Sequence, residues 1–448
     1  MSQPTHIAQA SLQNDKREIF GWAMYDWANS AFSATVVTVF LGPYLTNLVK
    51  DVADADGLIY FLAIPIKYDS FFAYCTAVSV ILQVLFLPLL GAIADYSHLR
   101  KFFLQFFCTL GALATMLFFF LTSGLHWLGA GLYIVANLAF GASIVFYNAY
   151  LPDIASPEER DRVSSFGWGL GYLGGGVLLV LNLTLFTFRE ALNISTDLAV
   201  RLCLASAGIW WLVFAQITFV RLRSRRARRM LPDGETYLSV SLKQLRKTLR
   251  DIRSLPETLK FLLAYLLYND GVQTVIALAS VFGAEELKLE SSTLIQVILM
   301  VQFLAFVGAI AFGRLAGRIG AKRSIMITLV IWSSVTIYAY GFLQTEVQFW
   351  LMAAVVAIVL GGSQALSRSL FSQMIPSGRE AEFFSFYEIS ERGTSWIGFL
   401  VFGLANQVFG GLRFGILSLI VLFLIGLAML LRVDVKRAMQ EANLAAAE

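Results

Sequence analysis

Two acidic side chains lie inside long apolar segments, where a carboxylate could bind and release a proton. Asp26 is in the segment Phe20–Leu48, and Asp270 is in the segment Lys260–Ala284. A charge at bilayer depth costs about 2.5–3.5 kcal/mol or more, so such a residue normally faces the interior of a helical bundle and has a partner or a task. Both acids are therefore candidate proton-coupling residues.

Polar neighbours accompany both acids at helical spacing. Asn29 follows the first acid by three residues and Gln273 follows the second by three, so each amide shares a helix face with its acid. Tyr25 and Asn269 come directly before the two acids. A structural interpretation stays open for each acid, either as the partner of an arginine near the membrane surface or within a hydrogen-bond network that holds helices together.

Further polar side chains lie in other apolar segments. Glu388 could join a proton path or pair locally with Arg392, four residues later. Gln364 and Arg368 are also four residues apart, and the arginine could contact a solute or extend its head group to the membrane surface. The candidate solute-binding residues are Tyr25, Asn29, Tyr147, Asn148, Asn269, Gln273, Gln364 and Arg368.

The composition predicts that these residues are held by membrane-spanning helices. Of the 448 residues, 58% are hydrophobic and only 14% are charged, whereas a soluble domain carries about 25% charged residues. Phe102–Pro152 holds no Asp, Glu, Lys or Arg, and it is long enough for two helices of about 20 residues. Counting such runs along the chain predicts an all-α membrane protein of twelve transmembrane helices.

The distribution of basic residues predicts the orientation. If loops alternate between the two sides, 27 Lys and Arg residues fall on the side of the N-terminus and six on the other, with Arg392 left out because it lies within a predicted helix. Loops rich in Lys and Arg stay in the cytoplasm. We therefore expect a multi-pass protein of the cell (inner) membrane with both termini cytoplasmic. The N-terminus lacks the short apolar core of a signal peptide.

Several functional classes lack their sequence signals. The three cysteines are far apart and only three histidines occur, so we expect no metal site, disulfide framework or cofactor. No GxxxxGK[ST] loop indicates an ATP-driven pump, and neither HExxH nor GxSxG indicates an enzyme. The basic segment between predicted spans 6 and 7 favours attachment to membrane lipid over nucleic acid. A membrane-embedded enzyme and a transporter-like receptor remain as alternatives to a carrier.

The chain repeats itself. Gly91, Asp95 and Arg100 follow predicted span 2, while Gly313 and Arg314 follow predicted span 8, and both sets combine a glycine, a short turn and basic residues. Each set is a candidate conformational latch or, equally, a tight turn that carries a topology signal. The predicted parts are an N-terminal cytoplasmic segment (1–18), an N-terminal six-helix half (19–222), a basic linker with an amphipathic helix (223–256), a C-terminal six-helix half (257–433) and a cytoplasmic tail (434–448).

Four strings resemble those of the vacuole effluxer family within the major facilitator superfamily. They begin at Tyr25 (YDWANSAF), Tyr268 (YNDGVQT), Gly361 (GGSQALSRSLF) and Ile375 (IPSGREAEFF). The family is named for fungal autophagy-related proteins that export amino acids from the vacuole. The resemblance implies two parallel six-helix repeats, a cavity lined by spans 1, 4, 7 and 10, and a latch in the loop after span 2.

The same resemblance implies a function. It is that of a secondary active transporter of a small solute, an amino acid or similar metabolite, which works by alternating access. The two buried acids add the expectation that transport is coupled to protons, and we expect a monomer. The sequence departs from the family after Phe384, where Ser385 stands in place of a glycine, and charged residues including Glu388 follow. If this region lines the path, the solute differs from the fungal amino acids.

Overall fold

The N-terminal half of the protein consists of six spans in a computed structural model, which describes residues 13–447 apart from 63, 69, 98, 226–242, 244–254 and 393–395. Span 1 starts as an α-helix, continues as a π-helix from Phe32 to Phe40 and ends as an α-helix. Span 3 ends in the 3-10 turn Leu117–Phe120, and the short helix Leu151–Ile154 follows span 4. Spans 1 to 6 are Lys16–Lys50, Phe71–Tyr96, Arg100–Phe120, His126–Asn148, Arg160–Thr187 and Thr196–Arg221.

The C-terminal half supplies six more spans. Span 11 consists of two helices, Glu380–Arg392 and Trp396–Phe409, and span 12 consists of Leu412–Ser418 and Ile420–Leu431. Spans 7 to 10 are Pro256–Glu285, Ser291–Ile319, Ala321–Gly341 and Glu346–Gln373. In the described residues, eleven helices are long and apolar enough to cross a membrane, and Ile397–Phe409 is a shorter apolar helix that completes span 11. The predicted number of twelve spans is therefore confirmed.

A β-hairpin outside the spans was not predicted. Between spans 1 and 2, β1 (Leu58–Phe61) pairs with β2 (Ile64–Lys67) as an antiparallel hairpin. The ring of Phe61 packs on Trp127, with ring centroids 5.2 Å apart, and so attaches the hairpin to the start of span 4. The fold is therefore all-α in its membrane part, with one small β-hairpin in a loop.

The predicted C-terminal tail is a helix, Val435–Ala447, that packs on the bundle. It buries Ala438 and Ala442. At its start, the backbone nitrogen of Asp434 donates to Glu257 Oε2 over 2.8 Å, which joins the tail to the beginning of span 7. The predicted amphipathic linker helix lies outside the described residues, apart from Lys243, and so does most of the predicted N-terminal segment.

The start of span 1 and the end of span 12 lie at the same end of the bundle. We call it the basic end, because the loops between spans 2 and 3, 4 and 5, and 8 and 9 carry their Lys and Arg residues there. At this end, Lys322 Nζ donates to Val433 O over 2.7 Å. The two halves meet where span 5 packs on span 8 and where the first helix of span 11 packs on span 2. Span 5 also packs on span 1.

Candidate functional site

Asp26 is buried in span 1, with only 9% of its surface exposed. Its Oδ2 atom accepts a hydrogen bond of 2.7 Å from the Tyr147 hydroxyl of span 4. The same oxygen accepts a bond of 3.1 Å from Nη1 of Arg368, which belongs to span 10. The acid is therefore one side of a buried ion pair that joins the two six-helix halves.

Arg368 is held on all sides and is only 2% exposed. Its Nε donates to Ser164 Oγ and its Nη2 donates to Ser164 O, both over 2.9 Å, and its Nη1 also donates to Asn148 Oδ1 over 3.3 Å. The rings of Trp22, Tyr147 and Trp168 lie 4.9–5.5 Å from the guanidinium carbon, within range of cation–π attraction. The alternative that Arg368 extends to the membrane surface is therefore wrong.

The chain of polar contacts continues to span 11 through an amide. Asn148 accepts from Arg368 with its oxygen and donates with Nδ2 to Glu388 Oε1 over 3.1 Å. Glu388 is 1% exposed. The side chain of Arg392 lies outside the described part of the structure, so the alternative of a local pair with Glu388 stays a prediction. Asp26, Arg368, Asn148 and Glu388 thus form one buried polar cluster from spans 1, 10, 4 and 11, which we call the inter-half cluster.

Aromatic rings form the wall beside the inter-half cluster. The ring of Trp22 stacks on Tyr147 at 4.4 Å between centroids, and its Nε1 donates to Tyr147 O over 2.9 Å. Tyr25 packs against the same ring at 5.0 Å. Within the described residues, the Tyr25 hydroxyl and the Asn29 amide nitrogen are buried without a hydrogen-bond partner. The Tyr25 hydroxyl lies beside Cys108, Ser143 and Trp211, so of these two predicted solute-binding residues only Asn29 has spare hydrogen-bonding capacity on the side of Asp26.

Span 5 can approach Asp26 closely because it carries glycine there. A Cβ atom at Gly167 would lie 2.7 Å from Asp26 Oδ2 and 3.0 Å from Arg368 Nη2. Real Cβ atoms do not approach other heavy atoms that closely, so any side chain at this position would displace the ion pair. The glycine-rich sequence of span 5 therefore serves the site as well as helix packing.

Asp270 lies in a second polar set on span 7 and is 1% exposed. Its Oδ2 accepts a hydrogen bond of 2.5 Å from the backbone nitrogen of Gly398, in the first turn of the second helix of span 11. An acid at this place satisfies one of the unpaired N–H groups at a helix start. Its Oδ1 has no hydrogen-bond partner among the described residues. The acid is therefore attached to the helix Trp396–Phe409 of span 11 through one oxygen, and its other oxygen has no acceptor role among the described residues.

The remaining predicted solute-binding residues lie around spans 7 and 10. Asn269 donates to Glu391 O over 3.3 Å, and Gln364 accepts a short hydrogen bond from the Tyr172 hydroxyl of span 5. Gln273 is half-buried on span 7. Asn269 and Gln273 therefore accompany Asp270, whereas Gln364 forms a further contact between the halves.

The predicted latch after span 2 holds the two halves together at the basic end. Arg100 donates to Asp95 and Asp153 over 3.0 Å and to Glu380 of span 11 over 3.2 Å. Asp95 in turn accepts from the backbone nitrogens of Ala381 and Glu382 over 3.1 and 2.9 Å. These bonds fix the start of span 11 onto the loop between spans 2 and 3, as a latch requires.

The loops after spans 2 and 8, which have similar sequences, make different contacts. A Cβ atom at Gly91 would lie 2.5 Å from Ala381 O, and one at Gly313 would lie 2.5 Å from Ser165 Oγ, so both glycines allow the halves to touch. Arg314 is exposed and makes no ion pair among the described residues. At the second copy the halves are instead joined by Ser369, whose hydroxyl donates to Asp161 Oδ1 over 2.5 Å. The prediction that Arg314 acts as a latch residue has no contact to support it.

Sequence reasoning missed three functional side chains. Ser164 provides two of the acceptors for Arg368, and Glu380 and Asp153 provide two of the acids around Arg100. The signal for the acids was their place in the loops after spans 4 and 10, where Asp153 directly follows Pro152 and Glu380 comes four residues after Pro376. Ser164 gave no signal, because a serine in an apolar helix has the same spacing whether or not it meets an arginine. Among the described residues, no group of His, Cys, Asp and Glu could hold a metal ion.

Twelve spans in two halves, joined by the buried Asp26–Arg368 ion pair and by the ion pairs of Arg100 at the basic end, have the architecture of the major facilitator fold. A bacterial homologue of the iron transporter ferroportin in an outward-facing state has a TM-score of 0.67 at 16% identity, over 93% of this chain and 98% of its own. The proton:xylose symporter XylE has a TM-score of 0.68 at 12% identity, over 93% of this chain and 95% of its own. At these identities the likeness concerns the fold alone.

The chain belongs to the vacuole effluxer Atg22-like family, whose model matches residues 14–443. An MFS-type transporter of Bacillus subtilis (strain 168), YxiO, is 32% identical over 412 residues, which are 91% of this chain and 93% of that protein. Autophagy-related protein 22-1 of Penicillium rubens is 25% identical over 565 aligned positions, covering 100% of this chain and 95% of its own. The chain is therefore a multi-pass membrane transporter and not an enzyme, and the resemblance seen in the sequence is confirmed.

Proposed function

We propose that the protein is a secondary active transporter that moves an amino acid or a similar small metabolite by alternating access, coupled to protons. The single observation that carries this proposal is the buried ion pair between Asp26 and Arg368, 3.1 Å apart across the two halves. A buried charge that loses its partner is strongly unfavourable, so this pair can open only when another ion takes the place of one member. A solute and a proton are the two species able to do so.

The solute in this proposal is a zwitterion. Its carboxylate binds Arg368, whose planar guanidinium suits two-point contact with a carboxylate. Its ammonium group lies against Asp26 and Glu388, which flank the arginine in the inter-half cluster. Asn29, Tyr147 and Asn148 supply neutral hydrogen bonds around it, and Tyr25 packs on the ring of Tyr147. The inter-half cluster therefore offers a cation for the carboxylate of the solute and an anion for its ammonium group, and these two groups now form one ion pair.

The proton acts on the same carboxylate. Protonation of Asp26 removes the negative charge that holds the ammonium group of the solute, so the proton and the solute compete for this cluster and are exchanged across the membrane. Asp270 and Glu388 are the further proton-coupling residues of the proposal. We propose export as the direction, because the family is described as vacuole effluxers. The amino acid class and the coupling ion are parts of the proposal that transport measurements must test.

The arrangement supports alternating access because the contacts between the halves are concentrated on one side. They run from Arg100 and Glu380 at the basic end to Arg368, which lies five residues before span 10 ends on the same side. We propose that the basic end faces the cytoplasm, so that both termini are cytoplasmic and this conformation is closed on the inside. We also propose that the protein is a monomer of the bacterial inner membrane, with the twelve spans forming the complete path and with the boundaries of its halves as the sequence predicts.

Solute counterflow in liposomes tests the proposal. Purified protein is first screened by thermal shift against amino acids and common metabolites, because a bound solute raises the midpoint of unfolding. Hits are then tested for uptake of labelled solute into liposomes preloaded with unlabelled solute. We expect Arg368→Gln to abolish counterflow, while Glu159→Gln, which alters a surface ion pair outside the inter-half cluster, leaves it intact. Counterflow at the wild-type rate in Arg368→Gln would exclude the inter-half cluster as the solute site.

Proton coupling is tested separately, by accumulation of the solute under an imposed pH gradient. An imposed pH gradient should drive accumulation of the solute, and a protonophore should abolish it without affecting counterflow. Asp26→Asn should lose gradient-driven accumulation, because an amide cannot exchange a proton in this range of pH. Accumulation that ignores both the gradient and this substitution would exclude protons as the coupling ion and leave the carrier itself intact.

A further inference from the structure

A groove of about 400 Å³ lies at the basic end where spans 1, 5 and 8 meet. Its rim carries three basic residues, one from each span: Lys16, Arg162 and Arg314. Its floor is apolar and includes Phe20 and Ile310. The inter-half cluster does not contribute to it, so the groove is separate from the proposed solute path.

The rim offers positive charge to a ligand. Lys16 and Arg314 are exposed, and neither makes an ion pair among the described residues. Arg162 pairs with Glu159, but the arginine side chain is 70% exposed and the glutamate side chain 36%. A surface pair of this kind contributes at most about 1 kcal/mol, so Arg162 can exchange its partner for a ligand anion at little cost. Three cations therefore converge on one groove.

The floor of the groove suits a hydrocarbon chain. Phe20 is 38% exposed although it is a large apolar side chain. The guanidinium carbon of Arg221 lies 4.9 Å from its ring, so the ring stands between basic groups and the apolar part of the bundle. An apolar surface bordered by Lys and Arg at the end of membrane helices matches the boundary between lipid head groups and acyl chains.

We propose that this groove binds one anionic phospholipid. The phosphate lies among Lys16, Arg162 and Arg314, and one acyl chain lies along Phe20, Phe166 and Ile310. A basic partner would be repelled by the rim, and a small soluble anion would leave the apolar floor exposed to water. Only an amphiphile with a negative head group satisfies both parts of the groove.

The lipid would hold the two halves together. Lys16 and Arg162 belong to spans 1 and 5 of the N-terminal half, whereas Arg314 belongs to span 8 of the C-terminal half. Beside the groove, Gly313 allows span 8 to touch Ser165 of span 5. A phosphate that binds basic residues of both halves therefore favours the conformation in which the basic end is closed, by the difference between its affinities for the two conformations.

Lipid titration followed by native mass spectrometry tests this site on the full-length protein. Delipidated protein in neutral detergent is titrated with dioleoyl phosphatidylglycerol and, separately, with dioleoyl phosphatidylcholine. We expect a first phosphatidylglycerol to bind about tenfold or more tightly than phosphatidylcholine. Each basic residue near a bound anionic lipid contributes about fivefold, so Lys16→Gln/Arg314→Gln should weaken that first binding by roughly 25-fold.

The chain provides a matched control. Arg17→Gln/Arg318→Gln removes the same charge from exposed positions on the same two spans, outside the groove, and should leave the first phosphatidylglycerol affinity unchanged. Because all four residues are exposed, both double variants should unfold at the wild-type temperature when no lipid is present. Equal losses in the two double variants, or equal binding of the two lipids, would overturn the site.

A third arm separates a phospholipid from a free anion. Phe20→Ser keeps all three charges and removes part of the apolar floor, so it should weaken phosphatidylglycerol binding several-fold. Glycerol phosphate, which carries the charge without acyl chains, should fail to compete at the concentrations at which the lipid binds. Competition by glycerol phosphate with no effect of Phe20→Ser would overturn the assignment to a lipid.

Discussion

The Arg368 guanidinium donates to the Asp26 carboxylate across the interface between the two halves, with Nη1 and Oδ2 3.1 Å apart. The acid comes from span 1 and the arginine from span 10, and the two residues are 342 positions apart in the chain. Neither side chain is more than 12% exposed. Opening of the basic end therefore has an electrostatic free-energy cost, because separating the halves there separates two opposite charges in a medium poor in water.

The stability of the ion pair can be measured by a double-mutant cycle. Asp26→Asn leaves Arg368 as a buried charge without a negative partner, which is expected to cost about 3–5 kcal/mol. In Asp26→Asn/Arg368→Gln both charges are gone, so the double variant should be more stable than the sum of the single changes predicts. Thermal unfolding in detergent gives the comparison, and additive losses would argue against direct coupling.

Gly167 should tolerate no side chain. In Gly167→Ala the new methyl group would meet Asp26 Oδ2 at 2.7 Å and Arg368 Nη2 at 3.0 Å. Overpacking of this kind typically costs about 1–3 kcal/mol, and the displaced ion pair should also reduce counterflow. Gly131→Ala is the control, because a methyl group there meets no atom within 4 Å. A Gly167→Ala variant as stable and active as the control would contradict the close packing at the site.

The sequence identified Asp26 but not the contact that it makes. A single acid in an apolar segment is visible because its burial is costly, whatever surrounds it. Its partner depends on how spans 1 and 10 are rotated and placed, which no local pattern records. For the same reason Arg368 could be read either as a solute contact or as a surface group, and Ser164 gave no signal although it accepts two of the hydrogen bonds from the guanidinium.

The number of spans followed from composition, whereas the form of span 11 did not. Arg392 falls within a predicted helix, but hydropathy does not show where that helix begins, and in the structure span 11 starts with the polar helix Glu380–Arg392. That helix is possible because its acids find partners in the other half, such as Asn148 for Glu388 and Arg100 for Glu380. A polar segment becomes part of a span through such tertiary contacts, and hydropathy alone does not contain them.

Two single substitutions should weaken the predicted latch between Arg100 and the start of span 11. Glu380→Gln removes the ion pair of 3.2 Å with Arg100, and Asp95→Asn removes the charge that accepts from the backbone nitrogens of Ala381 and Glu382. Hydrogen bonds to charged groups contribute about 1.5–3 kcal/mol, so amide hydrogen exchange in the helix Glu380–Arg392 should become about tenfold faster or more. Exchange followed by mass spectrometry reports this, and Glu159→Gln is the surface control.

Asp95→Asn should accelerate this exchange more than Glu380→Gln, because it affects both the Arg100 network and the two backbone bonds to span 11. The reverse order would mean that Glu380 holds the start of span 11 mainly through its own bond to the backbone nitrogen of Gly378. Unchanged exchange in both variants would show that the first latch does not limit opening of the basic end.

Asp270 accepts a structural hydrogen bond and is also a candidate proton-binding residue, and substitution by asparagine or by alanine distinguishes these two roles. As the acceptor for the Gly398 nitrogen it stabilises the start of the second helix of span 11, and as an acid with one unsatisfied oxygen it could bind a proton. Asparagine serves a helix start about as well as aspartate, whereas alanine costs about 0.5–2 kcal/mol. We therefore expect Asp270→Asn to unfold near the wild-type temperature and Asp270→Ala to unfold at a lower one.

Transport by these two variants then assigns the role of the acid. If Asp270 carries a proton, Asp270→Asn should keep solute counterflow and lose accumulation driven by a pH gradient, because exchange of solute needs no net proton movement. Gly398→Ala is the structural control: its methyl group would collide with Thr274 Oγ1 and disturb the helix start while the carboxylate remains. That variant should lose stability and lose both transport activities together. Gradient-driven accumulation at the wild-type level in Asp270→Asn would leave the acid with the capping task alone.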